Sequence, residues 1–380
     1  QDVRGAMRVF LTGVTGFVGR HVAARLLARP GCDSIDVLVR ADSVQHGRER
    51  LLESLRHVVP EARAVALVER MEPVLGDLAQ ERFGLSLQAY GDLAERTDAI
   101  LHGAANVRFD QTLDEARAHN VHGTHEAVRL AREAQRRGGL QRFDWVGTAF
   151  VAGLRRDRVG ELQLEHGAGW KNAYEQSKYE AELYLRREAA DLPVTVFRPS
   201  IVVGESGSGA TTNFGMLYWP IRLYTKGWWR TVVGSADTTV DIVPVDFVAD
   251  ALEALTRPDS PVGGVYHLTS GPDGAVTIAE LVDLVREFFG GPPARYMDPA
   301  FFLRWVRPVV DLFLWGPRRR VLQQGGRFFI PYFSGNPLFE NARAIDALAP
   351  FGIQPPRVRE YFSVILDYCQ KTDFGRLPAP

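Results

Sequence analysis

A strand, a glycine-rich turn and a helix follow one another at the start of the chain, and this order constrains the fold more than any other feature. Residues 7–11 (MRVFL) are apolar enough for a buried strand, and residues 21–28 have helical spacing of apolar side chains. Between them stands TGVTGFVG, with Gly13, Gly16 and Gly19. These glycines allow a tight turn, close approach of a pyrophosphate and close helix–strand packing. The segment predicts a βαβ unit that binds a dinucleotide at a helix N-terminus.

The same alternation continues to about residue 204. Short β-branched runs are separated by longer helical patterns, which is typical of parallel βαβ units in a doubly wound sheet. Continuous apolar runs fit strands that are buried on both faces. The predicted strands are 34–39, one ending at 74–75, 98–102, 143–146 and 194–197, and the predicted helices are 120–135 and 172–188.

Beyond residue 204 the composition changes to a Gly/Ser/Thr-rich loop and then to an aromatic stretch. Short strands are predicted at 241–245 and 265–268, a helix at 278–289 that begins with a Thr277/Glu280 capping box, and two helices from about Asn341. We therefore predict an α/β fold with a doubly wound parallel Rossmann sheet and a smaller, mostly helical C-terminal substrate-binding lobe. The sheet domain comprises 7–204 with returning segments near 240–270, and the lobe comprises 205–239 and 271–380.

The composition excludes several classes of protein. The chain of 380 residues has 45 Lys and Arg against 46 Asp and Glu, so it lacks the basic footprint of a nucleic-acid binder. Cys32 and Cys369 cannot form a disulfide framework and lack metal-ligand spacing, so we expect free thiols, a reducing compartment and no metal site. No targeting segment and no run of about 18 apolar residues is visible, which favours a cytoplasmic location. The first residue is Gln1, and the sequence leaves open whether the chain is free-standing or part of a longer protein.

The end of the second predicted strand indicates which dinucleotide is bound. An Asp or Glu at this point usually holds the ribose 2′-hydroxyl of NAD, whereas this chain has Arg40. Arg40 can pair with a 2′-phosphate, and Arg20 is a candidate second contributor, so NADP(H) is favoured. Asp42 lies two residues beyond the position at which an NAD-binding unit has its Asp or Glu. A turn of the chain that brings Asp42 back to the ribose is an open alternative. Asp77 follows the third strand, where it accepts from the adenine amino group or serves only as a turn residue.

Tyr174 and Lys178 lie four residues apart in YEQSK, and on a helix this spacing places them on one face. A neighbouring ammonium lowers the pKa of a phenol, so we expect Tyr174 to transfer a proton near neutral pH. Lys178 can also bind the nicotinamide ribose. Thr148 follows the fifth strand and could hold a substrate carbonyl while Tyr174 protonates the forming alkoxide. The set predicts carbonyl reduction.

The order of these motifs resembles the extended short-chain dehydrogenase/reductases. The shared set is TGVTGFVG, GDL at Gly76, HGAAN at His102, NVHGT at Asn120, VGTAF at Gly147, YEQSK at Tyr174 and FRPSIVVG at Phe197. Within that superfamily the chain looks most like the fatty acyl-CoA reductase and carrier-bound thioester reductase branch, from residue 7 to about 289 and more loosely beyond. The phrases typical of this branch are LVR at Leu38, RERL at Arg48, GDLAQERFGLS at Gly76, AANVRFDQTLDEARAHNVHGT at Ala104 and DIVPVDFVADA at Asp241.

The resemblance implies an NADPH-dependent reductase of an acyl thioester, presented as acyl-CoA or on an acyl-carrier protein. The product would be an aldehyde or, after a second round, an alcohol. Thr148, Tyr174 and Lys178 match the catalytic set, with Tyr174 as the acid. Asn120 matches an Asn that supports the helix under the site, and a simple helix N-cap is an equally open interpretation. The implied cofactor contacts are Gly13, Thr15, Gly16, Phe17, Val18, Gly19, Arg20, Arg40, Asp77, Leu78, Ala104, Ala105, Tyr174, Lys178, Pro199 and Ser200.

Two positions depart from the pattern of this branch, and neither removes a catalytic group. Gly147 precedes Thr148 where Ser is usual, and Phe150 replaces a common Tyr. Two other functions stay open: a nucleotide-sugar epimerase, dehydratase or hydroxysteroid-type dehydrogenase of the same superfamily, and a redox sensor that holds NADPH without turnover. The apolar lobe favours a lipid-like substrate over a nucleotide-sugar. The Tyr174/Lys178 pair argues against a sensor.

Two aromatic segments are candidates for the acyl-binding lobe. Residues 218–229 carry Tyr218, Tyr224 and three tryptophans, and residues 299–317 carry aromatic and aliphatic side chains at near-helical spacing. Lobe core, acyl tunnel wall and membrane-surface contact are the three interpretations, and membrane contact is the least favoured. Two arginine clusters are either solvated charge or contacts for CoA phosphates or an acidic carrier protein. Their members are Arg155, Arg156 and Arg158, and Arg318, Arg319, Arg320 and Arg327.

Overall fold

The computed structural model describes residues 7–215, 217–227, 231–308 and 330–378. Parts of the two aromatic segments lie outside the described residues: Trp228 and Trp229 of 218–229, and Val309, Leu312 and Phe313 of 299–317. The arginine cluster at 318–327 lies outside them as well. The strands are β1 Val9–Thr12, β2 Ile35–Val39, β3 Met71–Leu75, β4 Ala99–His102, β5 Arg142–Val146, β6 Arg158–Val159, β7 Val194–Pro199, β8 Ile201–Val203, β9 Thr231–Val233, β10 Thr239–Val240, β11 Ile242–Pro244, β12 Val265–Leu268, β13 Val276–Thr277, β14 Arg295–Met297 and β15 Leu338–Phe339. The helices are α1 Phe17–Ala28, α2 Val44–Leu55, α3 Glu61–Glu69, α4 Leu87–Arg96, α5 Leu113–Arg137, α6 Ala173–Glu188, α7 Tyr218–Thr225, α8 Val245–Leu255, α9 Ile278–Phe289, α10 Pro299–Phe301, α11 Ala342–Leu348 and α12 Val358–Lys371.

Seven parallel strands form the central sheet in the order β12-β7-β5-β4-β1-β2-β3. The chain leaves β1 toward β2 and β3, then returns to β4 on the other side of β1. This reversal opens a crevice at the carboxyl ends of β1 and β4, which is where ligands bind in open α/β sheets. The predicted doubly wound Rossmann sheet is confirmed.

Both faces of the sheet are covered, which explains why its strands are continuous apolar runs. Alternate residues of β1 point to opposite sides: Val9 and Leu11 contact the layer of α1, α8 and α11, and Phe10 contacts the layer of α4, α5 and α6. Helix α11 thus covers the sheet, although it comes from the C-terminal part of the chain. The loops at the carboxyl edge of the sheet therefore follow strands that are packed on both faces.

A second core lies between α7, α9 and α12, with Ile221, Leu281 and Phe362 among its buried residues. The predicted capping box of α9 is present, because the Thr277 hydroxyl accepts from Glu280 N–H and the Glu280 carboxylate accepts from Thr277 N–H. Of the helices in the described residues, none combines the length and the apolar character needed to cross a membrane.

Helix α5 is longer than the sequence pattern indicated. It begins at Leu113, seven residues before the predicted start, because Thr112 and Glu115 form a second capping box. Asn120 therefore lies in the middle of a helix. The interpretation of Asn120 as an N-cap is wrong.

Candidate active site

The glycine turn between β1 and α1 leaves no room for side chains. Gly13 has φ +89°, and a Cβ on it would lie 2.7 Å from the Ala104 nitrogen. A Cβ on Gly19 would overlap the Gly13 carbonyl oxygen, to which Gly16 N–H donates at 2.9 Å. The Thr12 hydroxyl accepts from Ala104 N–H at 3.2 Å and joins this turn to the loop after β4. The cradle fits a pyrophosphate that approaches bare backbone.

Substituting Gly13 with Ala is expected to weaken dinucleotide binding, because the Cβ would push the turn away from residue 104. Gly31 is a matched control: it has φ +80°, and a Cβ there would meet nothing within 4 Å. Both substitutions carry the cost of a positive φ, about 1 kcal/mol, and G13A adds the cost of the overlap with the backbone at residues 103 and 104. Binding of NADPH, measured by fluorescence titration, should weaken at least tenfold for G13A alone. Equal binding by both variants would contradict the role of the cradle.

The first turn of α1 presents its backbone N–H groups to the crevice. The helix begins at Phe17, followed by Val18, and the N-terminal N–H groups of a helix have no intrahelical acceptor. Thr15 and Gly16 are exposed beside them. Arg20 is nearly buried, and its guanidinium donates to the carbonyls of Gly16 at 3.1 Å and Thr15 at 3.0 Å. Two of its donors thus hold the shape of the turn.

The adenosine side of the crevice has a cation at the end of β2. Arg40 is exposed, and its carbonyl oxygen accepts from the Arg50 guanidinium of α2. Arg50 was not singled out from the sequence, although the RERL phrase contains it. Asp42 faces His46 at 3.6 Å. The end of β2 therefore presents positive charge beside the crevice.

Asp77 and Leu78 follow β3 in a turn. The Asp77 carboxylate accepts from Ala79 N–H at 2.9 Å, so it has a structural role in the turn. The Leu78 side chain contacts Gly123 of α5, where a Cβ would lie 3.3 Å away. Both residues border the crevice at the carboxyl edge. Their proposed contacts with the adenine stay a prediction.

Thr148, Tyr174 and Lys178 meet at the same edge. Thr148 lies two residues after the end of β5, and its hydroxyl is near enough to the Tyr174 hydroxyl for an interaction that lowers the pKa of that phenol. Tyr174 lies in the first turn of α6, and Lys178 lies one turn later on the same helix. The Lys178 ammonium donates to the Val146 carbonyl at 2.8 Å, so it is anchored to the end of β5. The fold thus brings Thr148 to the helical Tyr174/Lys178 pair, as the sequence predicted.

Burial dominates the pKa values of this group. Burial raises the pKa of Tyr174 to about 12, the Thr148 hydrogen bond opposes this rise, and the charge of Glu175 adds to it. Burial also lowers the pKa of Lys178 to about 7, and the charge of Glu182 opposes this shift. The expectation that Lys178 lowers the pKa of Tyr174 is wrong for this structure, because desolvation of the phenol outweighs any such effect. Desolvation reduces the ammonium fraction of Lys178 near neutral pH as well.

Asn120 connects three elements below the catalytic helix. Its side-chain oxygen accepts from Asn106 N–H at 2.7 Å, and its amide donates to Asn106 O at 3.1 Å and to the Ser177 hydroxyl at 2.9 Å. The Ser177 hydroxyl donates in turn to the Tyr174 carbonyl at 2.9 Å. Asn120 is fully buried, so it fixes the loop after β4 and the first turn of α6 relative to each other.

The remaining predicted cofactor contacts lie at the same edge of the sheet. Ala104 and Ala105 follow β4, and both are partly exposed in the loop that contacts Gly13. Pro199 ends β7, and Ser200 N–H donates to the Leu268 carbonyl at the end of β12 at 3.3 Å. These positions lie at the carboxyl ends of parallel strands, and their contacts with a cofactor stay a prediction.

A residue from the C-terminal part of the chain reaches the catalytic helix. The Tyr332 hydroxyl donates to the buried Glu175 carboxylate at 2.7 Å and accepts from the Asn172 amide at 2.8 Å. The Tyr332 ring stacks on Phe109 with centroids 5.8 Å apart, and Phe109 lies 6.1 Å from the Tyr174 ring. Neither Tyr332 nor Glu175 was expected at the site from the sequence. They give the site an aromatic wall that is held by a buried carboxylate.

The lobe contains an apolar cavity of about 60 Å³ between α7 and α9. Its lining includes Ile221, Tyr224, Val282 and Phe333, and Phe333 is the neighbour of Tyr332 in sequence. Tyr218 of the aromatic stretch is buried, and its hydroxyl accepts from Gly204 N–H at 2.7 Å, so it belongs to the lobe core. In the second aromatic segment, Phe301 and Trp305 are exposed.

Neighbouring carboxylates compensate two of the three charges in the cluster of Arg155, Arg156 and Arg158. Arg155 pairs with Asp157 at 2.5 Å, and Arg158 lies 4.0 Å from Glu340. Arg156 is exposed beside Gly335. This arrangement favours the interpretation of a solvated charge run for Arg155 and Arg158.

Comparison with known proteins decides the family. The sequence profile of the male sterility protein family, an NAD-binding family, matches residues 11–252. The chain belongs to the male sterility protein family. The matched range contains the glycine turn, Thr148, Tyr174 and Lys178. The resemblance to extended short-chain dehydrogenase/reductases is thereby confirmed.

Several known proteins are similar over most of this chain. Fatty acyl-CoA reductase wat of Drosophila melanogaster is 29% identical over 412 residues, which cover 96% of this chain and 75% of that protein. The isonitrile lipopeptide synthase of Mycobacterium tuberculosis is 30% identical over 79% of this chain and 13% of its own length. The crystal structure of the terminal R domain from the myxalamid PKS-NRPS biosynthetic pathway has a TM-score of 0.83 at 29% identity. The superposition covers 99% of this chain and 93% of that one.

Proposed function

We propose that this protein reduces acyl thioesters with NADPH as the cofactor, through Tyr174, Lys178 and Thr148. The observation that carries the proposal is that Thr148, Tyr174 and the anchored Lys178 meet near the glycine cradle at one sheet edge. Relatives named as a fatty acyl-CoA reductase and as an R domain, each similar over more than nine tenths of this chain, support a thioester as the substrate.

The cradle and the end of β2 supply the cofactor contacts. The N–H groups at Phe17 and Val18 would hold the pyrophosphate, and Arg40 would hold the 2′-phosphate that distinguishes NADPH from NADH. Lys178 would hold the nicotinamide ribose. The rest of the cofactor would lie beside Ala104, Ala105, Pro199 and Ser200. When bound, NADPH supplies a hydride to the carbonyl carbon of the thioester and, in a second round, to that of the aldehyde.

The side chains of this protein handle the proton and the developing charge. Thr148 donates a hydrogen bond to the substrate carbonyl oxygen, and Tyr174 gives that oxygen a proton as negative charge develops on it. The resulting hemithioacetal breaks its C–S bond, which releases the thiol and leaves the aldehyde. The high pKa of Tyr174 keeps the phenol protonated, so it is always ready to act as an acid. Both carbonyls can bind at the same site.

The direct test is oxidation of NADPH in the presence of acyl-CoAs of increasing chain length, with products identified by mass. We expect thiol release in proportion to NADPH oxidised, and aldehyde or alcohol as the product. The same acyl groups on phosphopantetheine-loaded carrier protein form the second arm of the test. Binding of NADPH without reduction of either class of thioester would contradict the proposed substrate.

We propose that the lobe binds the acyl chain and that its apolar cavity accepts part of it. Replacing Val282 with Phe would fill the cavity from α9, whereas the same change at exposed Val262, away from the lobe core, is the control. The first variant should shift the chain-length optimum to shorter acyl groups, and the second should leave it unchanged.

Replacing Arg40 with Leu is expected to raise the KM for NADPH by about 10- to 100-fold, since a charge-assisted bond to phosphate contributes about 1.5–3 kcal/mol. The KM for NADH should change little, because NADH has no 2′-phosphate. Steady-state kinetics with both cofactors provide this internal control. Equal losses for NADPH and NADH would show that Arg40 supports the loop and does not select the cofactor.

A further inference from the structure

The catalytic lysine lies over an aromatic ring that the reaction scheme does not use. The Lys178 nitrogen is 4.0 Å from the centroid of the Trp145 ring, and Trp145 is fully buried in β5. A cation over the face of an indole is attracted by the negative face of its π-system, and the attraction grows where water is excluded. Lys178 therefore has two anchors on one strand: the Val146 carbonyl and the Trp145 ring.

Gly147 is shaped by the same ring. A Cβ at position 147 would overlap the outer edge of the Trp145 indole. The absence of a side chain at 147 leaves the space that the indole occupies below Lys178.

Helix α5 also holds the Trp145 indole in place. Trp145 Nε1–H donates to the Thr124 hydroxyl at 3.1 Å, and that hydroxyl donates to the Asn120 carbonyl at 2.7 Å. Asn120 also holds Ser177 in the catalytic helix, so α5 positions both the ring and the helix that carries Lys178. A buried indole N–H needs an acceptor in any role, and here the acceptor lies on the helix that also positions Ser177.

We propose that Trp145 is a positioning residue for the reduction: its indole ring holds the Lys178 ammonium in place for the cofactor's ribose and the Tyr174 hydroxyl, and Gly147 is glycine to admit that ring. This inference rests on the proposed function, because it assigns Trp145 a part in the same site. Trp145 acts through Lys178.

The groups around Lys178 define what a pH experiment reports. Tyr174 and Glu182 face it from its own helix, and His102 is near it from β4. Burial lowers the pKa of His102 to about 3, so this imidazole stays neutral over the working range. The pKa of Lys178 is about 7. Loss of the indole would disfavour the ammonium and lower the pKa of Lys178, so functions that need the ammonium would be lost at a lower pH.

The experiment measures the NADPH dissociation constant and kcat/KM from pH 5.5 to 9 for W145L and W145F. Phe143→Leu is the matched control, because Phe143 is fully buried on the same strand, two residues away. We expect W145L to move the alkaline midpoint of both profiles down by about 0.4 to 1.5 pH units. The F143L profile should keep the wild-type midpoint. Thermal unfolding of each variant reports whether a loss is merely structural.

Gly147→Ala tests the same arrangement from the other side. In the wild-type protein G147A should displace the indole and move the midpoint as W145L does. In the W145F background it should add little, since the smaller phenyl ring leaves room for the Cβ. If W145L does not fold, the comparison of G147A in the wild-type and W145F proteins still tests the role of the Trp145 ring.

An unchanged midpoint in W145L or G147A, with folded protein, would overturn the proposal, and so would equal shifts in F143L and W145L. The binding profile is independent of thioester reduction. A protein that binds NADPH with a Trp145-dependent midpoint but reduces no thioester would contradict the proposed function and support the role of Trp145.

Discussion

Replacing Tyr174 with Phe is expected to lower kcat by about 10²- to 10⁴-fold, the range typical of losing a positioned general acid. The phenyl ring keeps its contact with Phe109, so the aromatic wall should persist. The NADPH dissociation constant should therefore stay within about threefold of the wild-type value. Stopped-flow or steady-state rates with the best acyl-CoA, together with fluorescence titration of NADPH, measure the two quantities.

Tyr179→Phe is the control for this change, because Tyr179 lies on the same helix and is buried against Trp170. It should retain the wild-type kcat. A Y174F variant with near-wild-type kcat would show that another group supplies the proton. A parallel loss in both variants would point to a disturbed helix.

Replacing Arg198 with Met is expected to destabilise the protein by about 3–5 kcal/mol, because the buried Glu182 carboxylate keeps only the partly exposed Arg186, at 3.1 Å, as its charged partner. The Arg198 guanidinium forms two bonds to the Glu182 carboxylate, at 2.9 and 2.6 Å, and both side chains are fully buried. It also donates to His267 at 3.0 Å, and burial together with the charge of Arg198 lowers the pKa of His267 to about 3. Urea unfolding of the two proteins gives the difference.

Two further variants identify the cause of this loss. Arg187 pairs with Glu165 on the surface, so Arg187→Met should cost about 1 kcal/mol or less. The double variant R198M/E182L removes both charges and should recover much of the stability that R198M loses. Arg198 also donates to the carbonyls of Glu161 and Gln163. A double variant as unstable as R198M would show that these carbonyls and the His267 imidazole, and not the Glu182 carboxylate, determine the cost.

The sheet and the location of the site follow from the sequence because their signals are local. The strand, the glycine turn and the first helix are contiguous, and parallel strands bring Gly13, Thr148 and Ser200 to one edge without further information. The Tyr174/Lys178 pair needs only helical spacing. The start of α5 was missed, although Thr112 and Glu115 carry a capping box, because the apolar pattern alone was followed.

The contacts that set the chemistry of the site are not local, and so the sequence did not reveal them. Tyr332 and Glu175 are 157 residues apart, and no periodic pattern relates them. The pKa values of Tyr174 and Lys178 depend on burial by surrounding elements, and i,i+4 spacing says nothing about desolvation. The overlap between a Cβ at 147 and the indole depends on the side-chain conformation of Trp145.

The contact of Tyr332 with the catalytic helix also limits how such reductases can be recombined. A chimera that takes residues beyond 330 from a relative without tyrosine at this position would remove the phenol that contacts Glu175. That carboxylate is fully buried and accepts from the Tyr332 hydroxyl and from Lys171 N–H at 3.0 Å. Without the phenol one of these two donors would be lost, and a buried carboxylate oxygen without a donor is costly. Catalytic helix and C-terminal segment are therefore expected to be inherited, and exchanged, as a pair.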